Sequence, residues 1–229
     1  MSADFIKANM MGPNAVKLLE EAAASLPFKP GSRVLDLGCG KGLTSIYLAS
    51  TFSVRVFAMD LWIPAAENFR RFRDFGLDDA IVPIHADIAQ PPFAEGYFDT
   101  VVSVDAYHYF GRDPAFMDAR LAPLVKQDGM MLLVFPGLKR EVGRDIPPEM
   151  LLSWRPEDID TMHSPSWWSA LLAQAVSIDV VSIKEAACSE EAWEDWLACD
   201  NPYAVGDRRA MCAGAGKHMN FISVLCRKR

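Results

Sequence analysis

The sequence predicts an α/β fold, a doubly wound and mostly parallel seven-stranded sheet with helices on both faces. Three observations predict it. Short β-branched or apolar runs alternate with helix-length stretches from residue 33 to residue 135, which implies right-handed βαβ crossovers. The first run empties into a glycine-rich loop that opens a helix, at the sheet edge where open α/β folds seat ligands. Past residue 176, two further strand-like runs and a helical stretch can complete the same sheet.

Residues 13–26 predict an amphipathic helix. Pro13 stands in its first turn, and Val16, Leu18, Leu19, Ala22, Ala23 and Leu26 form one apolar face before Pro27 and Pro30-Gly31 end it. Strands are expected at 33–37, 54–59, 81–86, 99–104 and 130–135, with helices at 43–50, 64–75 and 114–125. The Pro-rich link Gln90-Pro91-Pro92-Phe93 follows the third strand. Residues 138–163 are rich in Pro and charge and predict an irregular insertion. A helix at 165–175, a strand at 177–184, a helix at 190–198 and a strand at 221–226 finish the chain. One domain over residues 1–229 is expected. It divides into an N-terminal helical lid (1–30), a ligand-binding core (31–137), an insertion and helix suited to capping a substrate (138–175), and C-terminal elements completing the sheet (176–229).

With 51% hydrophobic and 23% charged residues over 229 positions, the chain has the means for a folded core. A net charge of −7 without an extended basic patch disfavours a nucleic-acid partner. The five cysteines are scattered and form no CxxC pair, so neither a zinc ribbon nor a disulfide framework is expected, and no metal site is predicted. Apolar runs such as 130–135 are too short to span a bilayer. The first residues lack a basic start and apolar run, so the expectation is a cytoplasmic chain acting away from membranes.

The most informative stretch is Val34-Leu35-Asp36-Leu37-Gly38-Cys39-Gly40-Lys41-Gly42. Glycines at 38, 40 and 42 allow a sharp turn and a close ligand approach, and the following helix offers free N–H groups at its start. A dinucleotide site would use G-x-G-x-x-G without a nearby acid that repels a diphosphate. Here the spacing is G-x-G-x-G and an acid, Asp36, precedes it. This resembles motif I (D/E-x-G-x-G-x-G) of the class I methyltransferases that use S-adenosylmethionine (SAM). Asp36, Gly38, Gly40 and Gly42 match it position by position, and the resemblance covers residues 30–137 by motif. The stretches MMGPNAVKLLEE, RVLDLGCGKG, DLW and SVDAYHYFG look like a bacterial-type group of small stand-alone enzymes acting on small molecules.

The resemblance implies a Rossmann-like methyltransferase fold with SAM as cofactor, cradled by Asp36, Leu37, Gly38, Cys39, Gly40 and Gly42. It implies that Asp60, ending the second strand, accepts from the ribose hydroxyls. It also implies that Asp87 faces the adenine amino group while the Ile88 N–H reaches a ring nitrogen. Leu61 and Trp62 either cover the adenosyl group or pack structurally, and Asp87 has an alternative as a helix N-cap. The fourth strand leads into Asp105-Ala106-Tyr107-His108-Tyr109-Phe110, where the resemblance places motif IV.

Asp105, Tyr107 and His108 are the candidate catalytic residues. His108 is either a general base, its imidazole titrating near neutrality, or a structural histidine. Asp105 approaches the methionine ammonium of SAM through its carboxylate or its backbone carbonyl. Lid candidates are residues 5–14, the insertion with Trp154, and the region of His163, Trp167 and Trp168, whereas Trp193 and Trp196 are expected in the core. The expected partner is a small-molecule methyl acceptor presenting N or O, with the chain a monomer or homodimer. The rivals are a SAM-binding protein without turnover and an NAD-linked oxidoreductase.

Overall fold

The computed structural model describes residues 1–24 and 26–229. Its seven strands are β1 (Arg33–Leu37), β2 (Arg55–Asp60), β3 (Ile81–His85), β4 (Phe98–Val104), β5 (Val125–Leu138), β6 (Ile178–Glu185) and β7 (Met219–Lys228). They form one sheet in the order β3-β2-β1-β4-β5-β7-β6. β3, β2, β1, β4 and β5 pair in parallel, while β7 runs antiparallel to both β5 and β6. The order reverses between β1 and β4, so the carboxyl ends of those strands open a crevice there.

Successive strand residues serve opposite faces, and the alternation divides the core in two. Val34, Val56, Val102 and Leu132 face one side, with α2 (Ala15–Ala23), α3 (Leu43–Phe52), Phe72 of α4 (Ala65–Asp74) and Trp193 and Trp196 of α8 (Ser189–Leu197). Leu35, Phe57, Val101 and Leu133 face the other, with Tyr107, Met117, Leu121 and Trp168 of α7 (Pro165–Leu172). Helices on both faces are what bury both sides of such a sheet.

Several elements differ from expectation for identifiable reasons. Pro13 lies outside α2. Asn14 is the N-cap instead, accepting from the N–H groups of Val16 and Lys17. Ser25, within the expected first helix, lies outside the described residues. The helix expected over 114–125 becomes a π turn at Met117–Leu121 and a 3-10 turn at Ala122–Leu124. Pro123 has no N–H for a continuing α ladder, and Val125 already joins the sheet opposite Phe98. β5 is longer than expected because its Met130–Leu138 half pairs residue for residue with β7.

Two further elements emerge beside these. α1 (Ala3–Asn9) begins on Ser2, whose hydroxyl accepts from the Phe5 N–H. α9 (Pro202–Cys212) is a helix that a central Gly206 and a weak apolar stripe hide in the sequence.

Candidate active site

β1 ends at Leu37 and the chain turns through Gly38, Gly40 and Gly42, with φ of 73°, 52° and 81°. At Gly38 a Cβ would stand 2.3 Å from the Ala106 Cβ, and at Gly42 it would stand 2.4 Å from the Phe72 ring. Left-handed backbone and close neighbours therefore both require glycine there. Asn68 of α4 donates to the Gly40 carbonyl at 2.9 Å, and the Gly38 and Cys39 N–H groups donate to the Met59 carbonyl at 2.8 and 3.2 Å. The loop is thereby tied to β2.

Asp60, at the end of β2, is the electrostatic anchor of this loop. Its Oδ2 accepts from the Gly40 N–H at 2.8 Å, and its Oδ1 from the N–H groups of Trp62 and Ile63 at 2.7 and 2.9 Å. Three backbone donors hold the carboxylate in one orientation at the cavity wall.

Asp36 is placed differently. It is fully buried behind the loop, where Thr44 Oγ1 and Ser45 Oγ both donate to its Oδ2 at 2.6 Å while Oδ1 has no partner. Burial pushes its carboxyl up to about 6. It buttresses the start of α3 rather than facing a ligand.

The cavity has a volume of about 210 Å³. Its floor is Gly38 to Lys41 with Leu43 and Thr44, one wall is Asp60, Leu61 and Trp62, and another is Val104, Asp105, Ala106, Tyr109 and Phe110. A strap of residues Asn9 to Pro13, with Ala15, closes it from the N-terminal side. The strap is anchored where the Asn14 N–H donates to the Ala192 carbonyl at 3.0 Å and the Asn14 amide donates to Asp195 at 2.7 Å.

Asp105 carries the least common backbone in the site, with φ of 59° in a non-glycine residue. Its N–H donates to the Val134 carbonyl at 2.7 Å, which locks the end of β4 onto β5. A Cβ on Gly12 would fall 2.2 Å from its Oδ2, so only glycine lets the strap cross that carboxylate. Burial, and then the charge of Asp207, pushes the Asp105 carboxyl up to about 7.

Of the residues expected in the site, the structure brings together Gly38, Cys39, Gly40, Asp60, Leu61, Trp62 and Asp105. Asp36, Leu37, Gly42, Asp87, Ile88, Tyr107 and His108 stand outside the cavity lining. Leu37 and Ile88 are buried in the core, and Asp87 is exposed and accepts from the Ala89 N–H at 2.8 Å to close a turn. Tyr107 and His108 are displaced by a helical turn, α5 (Tyr107–Phe110), which sends successive side chains about 100° apart. Tyr107 is buried against Phe135 and Trp168, and His108 is 2% exposed with Nδ1 unpartnered. Burial, assisted by the Arg112 charge, pushes His108 down to about 3, so the imidazole stays neutral and away from the cavity. The same turn delivers Tyr109 and Phe110 to the wall, and Tyr109 meets Trp62 edge-on at 5.9 Å.

The strap residues Asn9 to Pro13 fall within the lid candidate 5–14, and Ala15, Lys41, Val104, Ala106, Tyr109 and Phe110 within quoted stretches without an assigned role; Leu43 and Thr44 are the cavity residues that the sequence reading did not bring to the site. Tyr109 and Phe110 follow from a helical phase begun at residue 107, a signal present in the sequence but too short to read. Among the lid candidates, Trp168 is fully buried, and Trp167 stacks on His163 at 3.7 Å. Trp193 and Trp196 are buried in the core. Among the described residues no group of three acids, histidines or cysteines is placed to hold a metal ion, and no helix is long and apolar enough to cross a membrane.

Residues 34–129 match the family model of the methyltransferase domain. The chain is 30% identical over 95 residues to 27-O-demethylrifamycin SV methyltransferase of Amycolatopsis mediterranei, covering 41% of this chain and 35% of that protein. The matched stretch thus spans about a third of that curated relative's length. Among solved structures, Haemonchus contortus phosphoethanolamine N-methyltransferase 2 in complex with SAM superposes with a TM-score of 0.72 at 17% identity, over 96% of this chain and 54% of that one. The [4+2]-cyclase SpnF superposes with a TM-score of 0.70 at 16% identity, over 94% and 81%. The methyltransferase-domain match embraces the glycine loop and Asp60, and the sheet carries the same fold as these structures; over residues 34–129 the chain is similar to methyltransferase domains.

Proposed function

We propose that the chain transfers the methyl group of SAM to a small-molecule acceptor through an N or O nucleophile. The observation that carries this reading is one cavity bounded by the glycine loop, by the anchored Asp60 carboxylate and by Asp105. The residues present fit the cofactor. Gly38 and Gly40 present bare backbone on the cavity floor, and Asp60 retains acceptor capacity beyond its three backbone donors for a ribose diol. The exposed indole of Trp62 suits the face of an adenine. When bound, SAM supplies an electrophilic methyl group on a sulfonium. What falls to the protein is alignment of the acceptor and exclusion of water.

The chain's own residues divide that work. Asp60 orients the sugar end, the strap at Met10 to Pro13 covers the cavity, and Tyr109 and Phe110 border the acceptor. Within one domain over 1–229, the lid expected of residues 1–30 narrows to the strap Asn9 to Pro13, while residues 138–175, expected as a cap, contribute nothing to the cavity lining. The five free cysteines suit a reducing compartment, so we place the reaction in the cytoplasm. Asp105 is the titratable group best placed at the reacting end, the role the sequence had offered to His108.

One specific observation favours a second reading, a SAM-binding protein that does not transfer the methyl group: the fold is shared with a protein described as a cyclase. A screen of amines, phenols, thiols and carboxylates, read by release of S-adenosylhomocysteine (SAH), separates the two. Stoichiometric SAH release with one acceptor class supports transfer. Tight SAM binding with no release from any class supports the second reading.

A further inference from the structure

We propose that Asn14 is the positioning residue of the site: through its side-chain amide, α8 fixes where the strap lies over the cavity, and so how long the cofactor stays beneath it. This rests on the methyl-transfer reading above and adds to it the residue that holds the cavity closed.

From Asn9 to Ala15, every residue except Asn14 lines the cavity. Asn14 turns the other way and is 7% exposed, at the junction of the strap, α2 and α8. Its Oδ1 accepts from the N–H groups of Val16 and Lys17 at 3.1 and 3.3 Å, while its Nδ2 donates to Asp195 Oδ2 at 2.7 Å. Its own N–H donates to the Ala192 carbonyl at 3.0 Å. Capping α2 alone would be served as well by Asp or Ser, whose oxygens accept in the same way. Among good capping residues, Asn alone can accept from one helix through its oxygen and donate to a carboxylate on another through its NH₂ group. The bond to Asp195 is charge-assisted and is the stronger of the two side-chain contacts.

Within three residues of Asn14 the strap touches both ends of the cavity. A Cβ on Gly12 would fall 2.2 Å from Asp105 Oδ2, and a Cβ on Gly40 would fall 3.0 Å from Met11 Sδ. A shift at Asn14 is therefore passed to Asp105 and to the glycine floor together. The far end of the strap is held more weakly. There α1 rests on an edge contact between Phe5 and Phe75 at 4.7 Å, and Cys199 Sγ donates to the Lys7 carbonyl at 3.6 Å.

The pairing of α2 with α8 does not depend on this bond. Glu21 accepts from the N–H groups of Ala187 and Cys188 at 2.9 and 2.7 Å, and Lys17 pairs with Glu191 at 3.3 Å as well as with Asp195 at 3.0 Å. Trp193 and Trp196 bury the inner face of α8 in the core. Cutting the contact between Asn14 and Asp195 thus frees the strap and leaves the helices docked.

The test compares the whole chain with Asn14→Asp, Asp195→Ala and the double variant Asn14→Asp/Asp195→Asn. Asn14→Asp keeps an oxygen to cap α2 but sets a second carboxylate against Asp195, where Lys17 is already shared by two acids. Asp195→Ala removes the acceptor from the partly exposed side of α8 without touching the cap. The double variant exchanges donor and acceptor, so the bond re-forms in the opposite sense. Two quantities are read: the rate at which excess SAH chases methyl-labelled SAM from the site, and hydrogen exchange of the Met10 to Gly12 amides against those of α2. The expected result is SAM release about tenfold faster in both single variants, with faster exchange in the strap and none added in α2. The double variant returns the release rate to within about threefold of the parent. Release at the parent rate in either single variant overturns the proposal. So does exchange in Asn14→Asp that rises as much in α2 as in the strap, the mark of a helix cap and nothing more, or a double variant no better than Asn14→Asp. These outcomes leave the methyl-transfer reading standing. A parent chain that binds neither SAM nor SAH overturns that reading and this proposal with it.

Discussion

Replacing Asp60 by Asn separates what this carboxylate does for the fold from what it does for the ligand. Asn keeps one carbonyl oxygen, which can still accept from the adjacent N–H groups of Trp62 and Ile63. Its amide NH₂ then faces the Gly40 N–H, where Oδ2 now accepts at 2.8 Å. One charge-assisted bond is lost, a cost of about 1.5–3 kcal/mol. For a chain of this length that corresponds to a Tm lower by roughly 3–12 °C. SAM binding loses the lost acceptor's bond to the ribose as well as the loop geometry, so the Kd rises by about 10- to 100-fold or more. Thermal melts and isothermal titration calorimetry with SAM read the two quantities separately. A lowered Tm with an unchanged Kd would refute the ligand role of Asp60, and an unchanged Tm would refute the anchoring of the loop.

Three further outcomes are expected. Because burial raises Asp36 to about 6, above the carboxyl value of an unfolded chain, the folded state binds the proton more tightly and loses stability as pH rises from about 4 to about 6. The Tm of Asp36→Asn relative to the parent should therefore climb across that window and level off above it, and a pH-independent difference would contradict the burial argument. His108→Leu should retain SAH release within about threefold across pH, since the imidazole is neutral and outside the cavity; a steady-state pH profile that lost its neutral limb would return His108 to the chemistry. Gly12→Ala should leave SAM binding in place but reduce kcat at least tenfold, because its Cβ would displace Asp105 by colliding with Oδ2; unchanged single-turnover rates would show the strap to be a bystander.

The sheet was legible because its strands are short apolar or β-branched runs separated by helices, the pattern left by strands buried on both faces. β1 was expected at its observed bounds, while β5 and β7 outran their apolar runs through pairing with each other. Local chemistry also marked the Gly38 to Gly42 turn, since only glycine tolerates those φ values beside Ala106 and Phe72. What escaped was depth. Asp36 and Asp60 look alike at strand ends, yet one points behind the loop to Thr44 and Ser45 and the other points to the loop's amides. The order Asp105-Ala106-Tyr107-His108 does not disclose a four-residue helical turn that buries the histidine and turns Tyr109 outward. Strap residues Met10 to Gly12 lie within the stretch expected as a lid, but that Gly12 crosses the Asp105 carboxylate is set by tertiary packing, which no spacing in the chain announces.

Calorimetric titration of the chain with SAM, SAH and NAD tests the cavity assignment most directly. Saturable one-to-one binding of SAM and SAH, weakened in Asp60→Asn, with no heat from NAD, is the predicted result. Binding of NAD without either sulfur ligand would contradict it.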